Sequence, residues 1–408
     1  MARGDTIVGL DIGTTKTCAI IAATGPAGLE VIGVGEAPSH GMRKGVVTDL
    51  EETVKSIEIA TERAERMAGV HVSHVYVGVT GEHVTSTNNH AVVAIAGEGR
   101  EVVASDIRRV VDASKIINLA TDRQIIHALP RHFTIDGQDG VADPIGMSGG
   151  RLEVDTHIVT GGSTFITNVL KCVSRAGLEP IGIVFEPLAS SAATLLPEEK
   201  YIGVVLLDIG GGTTDIAVYA GGGLVHSATI PVGGNIVTND IALGLKTTFA
   251  EAEHLKRTYG SGASTGDDGD AATFAVKTID GRNSRDISAG QLRSIVLPRM
   301  LELFRMIKQN IATHIPRDQM LGEVVITGGG AHLRNIELVA AEFFGLPVRI
   351  GVPATVAGLT ESVKQPEYAT AVGLVLFGPR GDGSAHRRSS SAGSALARLS
   401  SWFGSIWS

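Results

Sequence analysis

Cysteine is scarce in this chain: Cys18 and Cys172 are the only two among 408 residues. Both lie in apolar surroundings and neither has neighbours at metal-ligand spacing, which fits buried thiols in a reducing cytosol. Long apolar runs are missing too. No stretch is long enough to cross a bilayer, and the N-terminus lacks the apolar core of a signal peptide. There is no excess of positive charge: the formal net charge of −8 argues against a nucleic-acid binder as a whole. With 19% charged and 43% hydrophobic residues the composition is globular, and the length predicts two or more domains, each with its own core.

What is present is organised around Val204–Val218, VVLLDIGGGTTDIAV. A buried strand runs into Asp208, then Gly210, Gly211 and Gly212, then Thr213, Thr214 and a second strand beginning at Asp215. Strands this close in sequence require a tight hairpin, and glycine tolerates the positive φ such a turn needs. A glycine-rich turn also aims several backbone N–H groups at one point, as a phosphate requires. Asp208 at the strand end would face the same point and could hold a hydrated Mg²⁺. One such hairpin could be purely structural. A second copy changes the reading: Ile7–Ile21, IVGLDIGTTKTCAII, has an apolar strand, Asp11-Ile12-Gly13, Thr14 and Thr15, then another apolar strand. A repeated phosphate hairpin implies two like domains facing each other across a cleft. The second copy starts about two hundred residues after the first, a plausible domain length.

Taken in order, Leu29–Gly35 reads as a third strand of the first sheet. A helix is expected from Asp49 to Ala68, with Asp49 as N-cap and Glu51 and Glu52 at the positive end of its dipole. Val75–Val79 is the next strand, which makes the grammar α/β. From about Glu82 to Gly162 the character changes: a strand at Val92–Ile95, a helix from Ser105, an amphipathic piece at Ile125–Leu129, and strands at His132–Asp136 and Val154–Val159. His127, His132 and His157 are not at ligand spacings, so this segment reads as an inserted module for docking rather than chemistry. A helix at Phe165–Ala176 and a strand at Ile181–Val184 lead to Glu186 and the small-residue helix Leu188–Leu195, suited to a hinge. Beyond the second hairpin, Gly233-Gly234 opens a helix to about Leu245 and offers a further anion contact. Glu253 and Lys256 sit one turn apart on a helix at Phe249–Tyr259. Residues 260–270 read as a loop. A strand pair near Ala275–Ile279 and Asp286–Ile287 then precedes a long helix from Ser288 to His314, with a kink expected at Pro298. A third strand-to-glycine signal, Gly328-Gly329-Gly330 before a helix at Arg334–Phe343, lets backbone approach a base or ribose. Tyr368–Leu376 is a second helix of small residues.

The last segment is different again. Gly378–Gly393 is hydrophilic and linker-like. After it, Ala395, Leu396, Leu399, Trp402, Phe403, Ile406 and Trp407 fall on one helical face, with Arg398 opposite. Both tryptophans of the protein lie here. Aromatic residues on the apolar face, with Arg387 and Arg388 nearby, match a helix lying in a membrane surface. A helix that docks in another protein's groove is the alternative.

Three glycine signals in this order, with a small-residue helix beside each half, resemble the actin and heat-shock chaperone ATPase superfamily. The resemblance implies an α/β actin-like fold: two duplicated α/β domains around a nucleotide cleft, with an inserted small subdomain and a C-terminal amphipathic helix. It implies ATP and Mg²⁺ as cofactors, with Asp11 and Asp208 holding the metal through water. Gly13, Thr14, Thr15, Lys16, Gly210, Gly211, Gly212, Thr213 and Thr214 would form the phosphate loops, and Glu253 and Lys256 would flank ribose and base. Gly328, Gly329 and Gly330 would form the adenosine motif, while Glu186 matches the position that orients the attacking water.

Within the superfamily, the insertion at about residue 84, the opening VGLDIGTTK, GMRKGVVTDLE (Gly41–Glu51) and the tethered tail are similar to the FtsA family of bacterial cell-division proteins. That likeness implies the following layout. The first actin-like domain spans 1–83, 163–198 and a third part at 359–378, interrupted by a subdomain at 84–162 for self-assembly and docking. The second spans 199–233 and 304–358, interrupted by a small subdomain at 234–303 that binds FtsZ. A hinge helix at 359–378, a linker at 379–393 and a membrane helix at 394–408 complete the chain, with Leu396, Leu399, Trp402, Phe403, Ile406 and Trp407 on the membrane face. It further implies polymerisation into actin-like protofilaments, the FtsZ C-terminal peptide and later divisome membrane proteins as partners, and weak ATP hydrolysis at most. The site of action would be the cytoplasmic face of the cell membrane at midcell. An ATPase of the same fold is the competing reading, either a chaperone, for which no substrate domain follows Gly378, or a small-molecule kinase. A pilus-assembly relative, which would lack the tail, is another.

Overall fold

The computed structural model describes residues 6–25, 28–96, 99–262, 271–316, 321–354, 356–358 and 360–381. Its organising feature is a turn used twice. Strand Thr6–Ile12 turns at Gly13 and returns antiparallel as Lys16–Gly25, and strand Val204–Ile209 turns at Gly210 and returns as Thr214–Ala220. In the first turn Gly13 N donates to the Lys16 carbonyl at 3.0 Å; in the second, Gly210 N donates to the Thr213 carbonyl at 2.9 Å. Each hairpin then gains a parallel neighbour on its first strand, His74–Val79 in one half and Glu323–Thr327 in the other.

The first sheet has six strands in the order Glu179–Phe185, His74–Val79, Thr6–Ile12, Lys16–Gly25, Gly28–Pro38, Ala357–Gly358. Helix Leu50–Ala68 covers it, burying Val54, Ile57, Ala60 and Ala64 at helical spacing. Asp49 caps its start by accepting from Glu52 N at 3.1 Å. The second sheet has five strands, Gly223–Ile230, Thr214–Ala220, Val204–Ile209, Glu323–Thr327, Val348–Ile350. Helix Ala289–His314, capped by Ser288, packs Val296, Leu303, Phe304 and Ile307 into the core of that half.

The segment from 85 to 162 forms its own antiparallel sheet, ordered Thr85–Ala94, Arg151–Gly162, Arg123–Ile135, Gln138–Val141. Helix Ala104–Ser114 closes one face, with Ile107, Val110 and Val111 against Phe133, Leu152 and Val154. Two expectations change here. The amphipathic piece Ile125–Leu129 is part of a strand, pairing Ile125 with Thr160 and Leu129 with His157. Five residues are too few for periodicity to tell helix from strand, and the cross-strand partner decides. The strand expected at Val92–Ile95 begins seven residues earlier, at Thr85, because its polar half borders the second sheet instead of the module's own core.

The two small-residue helices expected at a hinge are Glu186–Thr194 and Ala369–Gly381. They cross so closely that a Cβ on Gly373 would lie 1.9 Å from the Ala189 carbonyl oxygen, so only glycine fits. The helix expected at Arg334–Phe343 is present as Ile336–Phe344, preceded by a 3₁₀ turn, Gly329–His332. Asn335 between them has φ 57°, and a residue in that left-handed region breaks a helix. The second hinge helix reaches Gly381, past the expected linker start at 379. The rest of that linker and the expected membrane helix 394–408 lie outside the described residues. Among the described residues no helix is long and apolar enough to cross a membrane.

Candidate functional site

The two glycine turns face each other. A Cβ on Gly211 would meet Thr15 Cγ2 at 2.4 Å, and one on Gly212 would meet Thr14 Oγ1 at 2.6 Å. The glycines leave room for the Thr14 and Thr15 side chains of the first turn to lie against the second. Between the halves lies a cavity of about 590 Å³, lined by Asp11, Gly13, Thr14, Thr15 and Lys16 from the first turn and Asp208, Gly210, Gly211 and Thr213 from the second.

Its floor is acidic. Asp11, Asp208, Asp215 and Glu186 all line it. Burial, opposed by the nearby Lys16 charge and assisted by Asp208, pushes Asp11 up to about 7. Burial raises Glu186 well above the usual carboxylate range, with the charges of Asp11, Asp215 and Asp208 adding to it. Asp215 is pushed to about 7 by burial, although hydroxyls of Thr229 and Thr80 donate to it at 2.6 and 2.5 Å. Asp208 is raised by burial against hydrogen bonds from Ser190 (2.5 Å) and Thr370 (3.1 Å). Four carboxylates around one cavity repel one another, and protons or a cation relieve them. Among the described residues no three metal-ligating side chains stand close enough to bind an ion directly. A cation held through water remains compatible with that spacing, and all-oxygen donors suit a hard divalent ion.

The opposite wall carries Glu253 and Lys256. Their ion pair measures 2.7 Å, and Lys256 Nζ also donates to the Gly234 carbonyl (3.1 Å) and Thr238 Oγ1 (2.8 Å). Burial alone would raise Glu253, but Lys256, Thr238 and Arg257 together hold it down at about 2. The third glycine run closes this end. A Cβ on Gly328 would fall 2.2 Å from Asp208 Oδ1, and one on Gly330 would meet Ile209, whereas Gly329 is open. Of the three, Gly329 is where a flat group has room to approach.

Most of the expected residues therefore border one cavity, with instructive exceptions. Thr214 points away: it is fully buried and its hydroxyl donates to the Val232 carbonyl at 2.7 Å. Lys16 borders the cavity, but its ammonium is held by Glu36 (2.7 Å) and the Glu367 carbonyl (3.2 Å), over the Tyr368 ring. The anion contact expected at Gly233-Gly234 is weakened because the N–H groups of Gly234 and Asn235 already donate to the Gly210 and Gly211 carbonyls at 2.8 Å. Asp215, Thr80, Ser190, Thr370 and His332 escaped the sequence reading as site residues. Asp215 carried a signal: two acidic residues seven apart on one hairpin become direct cross-strand partners.

Duplicated glycine hairpins, a cavity between two α/β halves and paired hinge helices define an actin-like ATPase fold. Solved structures share it. One titled as the PilM–PilN type IV pilus biogenesis complex aligns over 91% of this chain and 97% of its own at TM-score 0.67 and 18% identity. MreB5 of Spiroplasma citri bound to ADP aligns over 92% and 96% at TM-score 0.54 and 15% identity. Within that class the sequence is specific. A family profile described as "Cell division protein FtsA" matches residues 205–373, and one described as "SHS2 domain inserted in FTSA" matches residues 81–160. Curated relatives named cell division protein FtsA include that of Pseudomonas aeruginosa, 42% identical over 92% of this chain and 89% of the relative. That of Escherichia coli K12 is 36% identical over 97% of each. The chain belongs to the FtsA family of cell division proteins.

Proposed function

We propose that this chain binds ATP with Mg²⁺ in the cleft and anchors filaments of the tubulin-like FtsZ to the cytoplasmic face of the membrane at midcell. In this reading it polymerises into actin-like protofilaments, binds the FtsZ C-terminal peptide through residues 234–303, and recruits later divisome proteins through 84–162. The observation that carries the nucleotide part is the set Asp11, Asp208, Asp215 and Glu186 around one cavity between two glycine turns, with Asp11 half-buried and the other three buried. The solved MreB5 bound to ADP supports it by fold.

Asp11 and Asp208 would hold the metal through water, which would supply charge neutralisation of the phosphates. The N–H groups of Gly13 and Gly210 close the turns, so those of Thr14 and Thr15 and of Gly211 to Thr213 would orient phosphate oxygens, and Glu253 with Lys256 would fix the ribose end. Burial and the charges of Asp11, Asp215 and Asp208 raise Glu186 above the usual carboxylate range, which weakens it as a base, so hydrolysis would be mainly a matter of positioning.

Membrane attachment would come from Leu396, Leu399, Trp402, Phe403, Ile406 and Trp407. One short amphipathic helix binds a bilayer reversibly. Polymerisation places many such helices on one surface and strengthens attachment without new contacts. Co-sedimentation with anionic liposomes, with and without ATP, tests this on the full chain and on a version ending at Gly378. The reading requires that only the full chain pellets, and more so with ATP; a truncated form that pellets equally would remove the tail from the account.

A further inference from the structure

The inserted module touches the second half as well as the first. Strand Gly223–Ile230 is the outermost strand of the five-stranded sheet, so among the described residues one of its sides has no neighbouring strand. Side chains of the module cap that side. Ser86 Oγ donates to the Ser227 carbonyl at 2.7 Å, and Asn88 Nδ2 donates to the Val225 carbonyl at 3.0 Å. His157 completes the seam, with Nδ1 2.7 Å from Asn88 Oδ1 and Nε2 2.9 Å from Ser227 Oγ. Its protonation follows from these partners. The Asn88 amide nitrogen is committed to Val225, so Asn88 Oδ1 must accept and His157 Nδ1 must donate. Nε2 is then left to accept from the Ser227 hydroxyl. His157 is only 1% exposed, and burial keeps it neutral at physiological pH.

The seam continues to the cleft floor. Thr80, at the root of the module, and Thr229, two residues beyond Ser227, donate to the same oxygen of Asp215. The two hydroxyls lie 3.1 Å apart. Two hydrogen-bonded groups, one at Asp215 through Thr229 and one at Ser227, therefore sit two residues apart on strand Gly223–Ile230, which links the cleft carboxylate to the module. Thr80 belongs to the first half and Asp215 to the second, so the first of these groups also crosses the joint between the halves.

We propose that this seam is a latch through which the nucleotide cleft and the inserted module sense each other. A ligand bridging the two glycine turns holds Thr80 against Asp215 and steadies the contact of Ser86, Asn88 and His157 with strand Gly223–Ile230. Linkage is reciprocal: whatever tightens the seam strengthens nucleotide binding, and a partner gripping the module alters the affinity of the cleft. This rests on the reading that the cleft binds nucleotide.

The test uses the full chain, a fluorescent ATP analogue with Mg²⁺, and amide hydrogen exchange. Asn88→Ala and Ser86→Ala each cut the seam from the module side, and His90→Ala, on the same strand but paired with Glu153 and Asp155, is the control. The latch predicts that the seam variants bind nucleotide about 5-fold more weakly, at the lower end of typical site-to-site coupling, and that His90→Ala does not. Exchange at residues 85–90 and 225–229 slows when nucleotide binds the natural chain. Binding by the natural chain with unchanged affinity in both seam variants and unchanged exchange would overturn the latch and leave the nucleotide reading intact. No binding by the natural chain would overturn both.

Discussion

Asp208 and Asp215 stand directly opposite each other across the second hairpin, both buried and both on the cleft side of the sheet. Like charges in that position destabilise a strand pair. The fold compensates each separately. Ser190 and Thr370 both donate to Asp208 Oδ2, and Thr80 and Thr229 both donate to Asp215 Oδ1. The donors come from the two hinge helices for Asp208, and from the module root and the sheet edge for Asp215. Each carboxylate is therefore a point where separate parts of the chain meet.

Because both hydroxyls reach one oxygen of Asp208, Asp208→Asn can keep them with its amide oxygen. The substitution removes a buried negative charge and its repulsion, so thermal stability of the nucleotide-free protein should rise, by roughly 1 kcal/mol on the scale of stabilising changes at functional sites. Magnesium-dependent ATP binding should fall at least about tenfold, about 1.4 kcal/mol. Calorimetry and titration of the same preparation check both. A variant that is less stable and binds normally would mean that Asp208 is structural.

Gly373 sits where the hinge helices cross, and a methyl group there would run into the Ala189 carbonyl at 1.9 Å. Backbone cannot swing aside as a side chain can. Gly373→Ala should therefore destabilise the protein by about 1–3 kcal/mol, the usual range for overpacking, despite the better helix propensity of alanine. A urea midpoint lowered with an unchanged slope is the expected signature.

The repeat of strand, acidic residue and glycine was legible because each hairpin is local: turn, strand polarity and aspartate lie within about fifteen residues, the scale on which pattern reading works. Gly13, Gly211 and Asp208 fell where that pattern placed them, at the cavity. Thr80, Ser190 and Thr370 did not declare themselves, since a hydroxyl becomes a carboxylate partner only when distant segments meet; Thr80 and Asp215 are 135 residues apart. Thr214 misled for a simple reason. Successive strand residues face opposite ways, so beside a cleft-facing Thr213 its neighbour had to turn inward. Ile125–Leu129 failed for lack of length.

Lys256 ties three groups together: Glu253, the Gly234 carbonyl and Thr238. Lys256→Met keeps the aliphatic stem and removes the charge. Glu253 then loses the partner that does most to hold it down, and the start of helix Gly234–Gly244 loses its cross-brace. The expected cost is about 1–2 kcal/mol of stability. A weakened grip on nucleotide should accompany it, and Glu253→Gln in the same background should recover part of the stability. Additive losses in the double variant would argue that the two residues act independently.

The buried histidines predict how the protein responds to acid. Burial holds both His127 and His157 at about 3, far below the ordinary value of 6.5. His127 Nε2 accepts from Phe185 N at 2.9 Å and His157 Nε2 faces Ser227, so each works as a neutral ring. Between pH 6.5 and 3 the unfolded chain takes up protons at these positions and the folded chain does not. Stability from this source is therefore intact above pH 6.5 and is lost as pH falls, by up to about 1.4 kcal/mol per pH unit for each histidine. The cleft carboxylates act in the opposite sense. With Asp11 and Asp215 at about 7, their contribution is full below the unfolded value of 3.8 and is lost as pH rises through 7. The raw stability profile mixes the two, so the difference between the natural chain and His157→Phe is the quantity to measure. That difference should be flat from pH 6.5 to 8 and should shift steadily in favour of the variant from 6.5 down to 4.5. A difference that stays constant across the whole range would mean that His157 can be protonated in place, through a seam open enough to admit water.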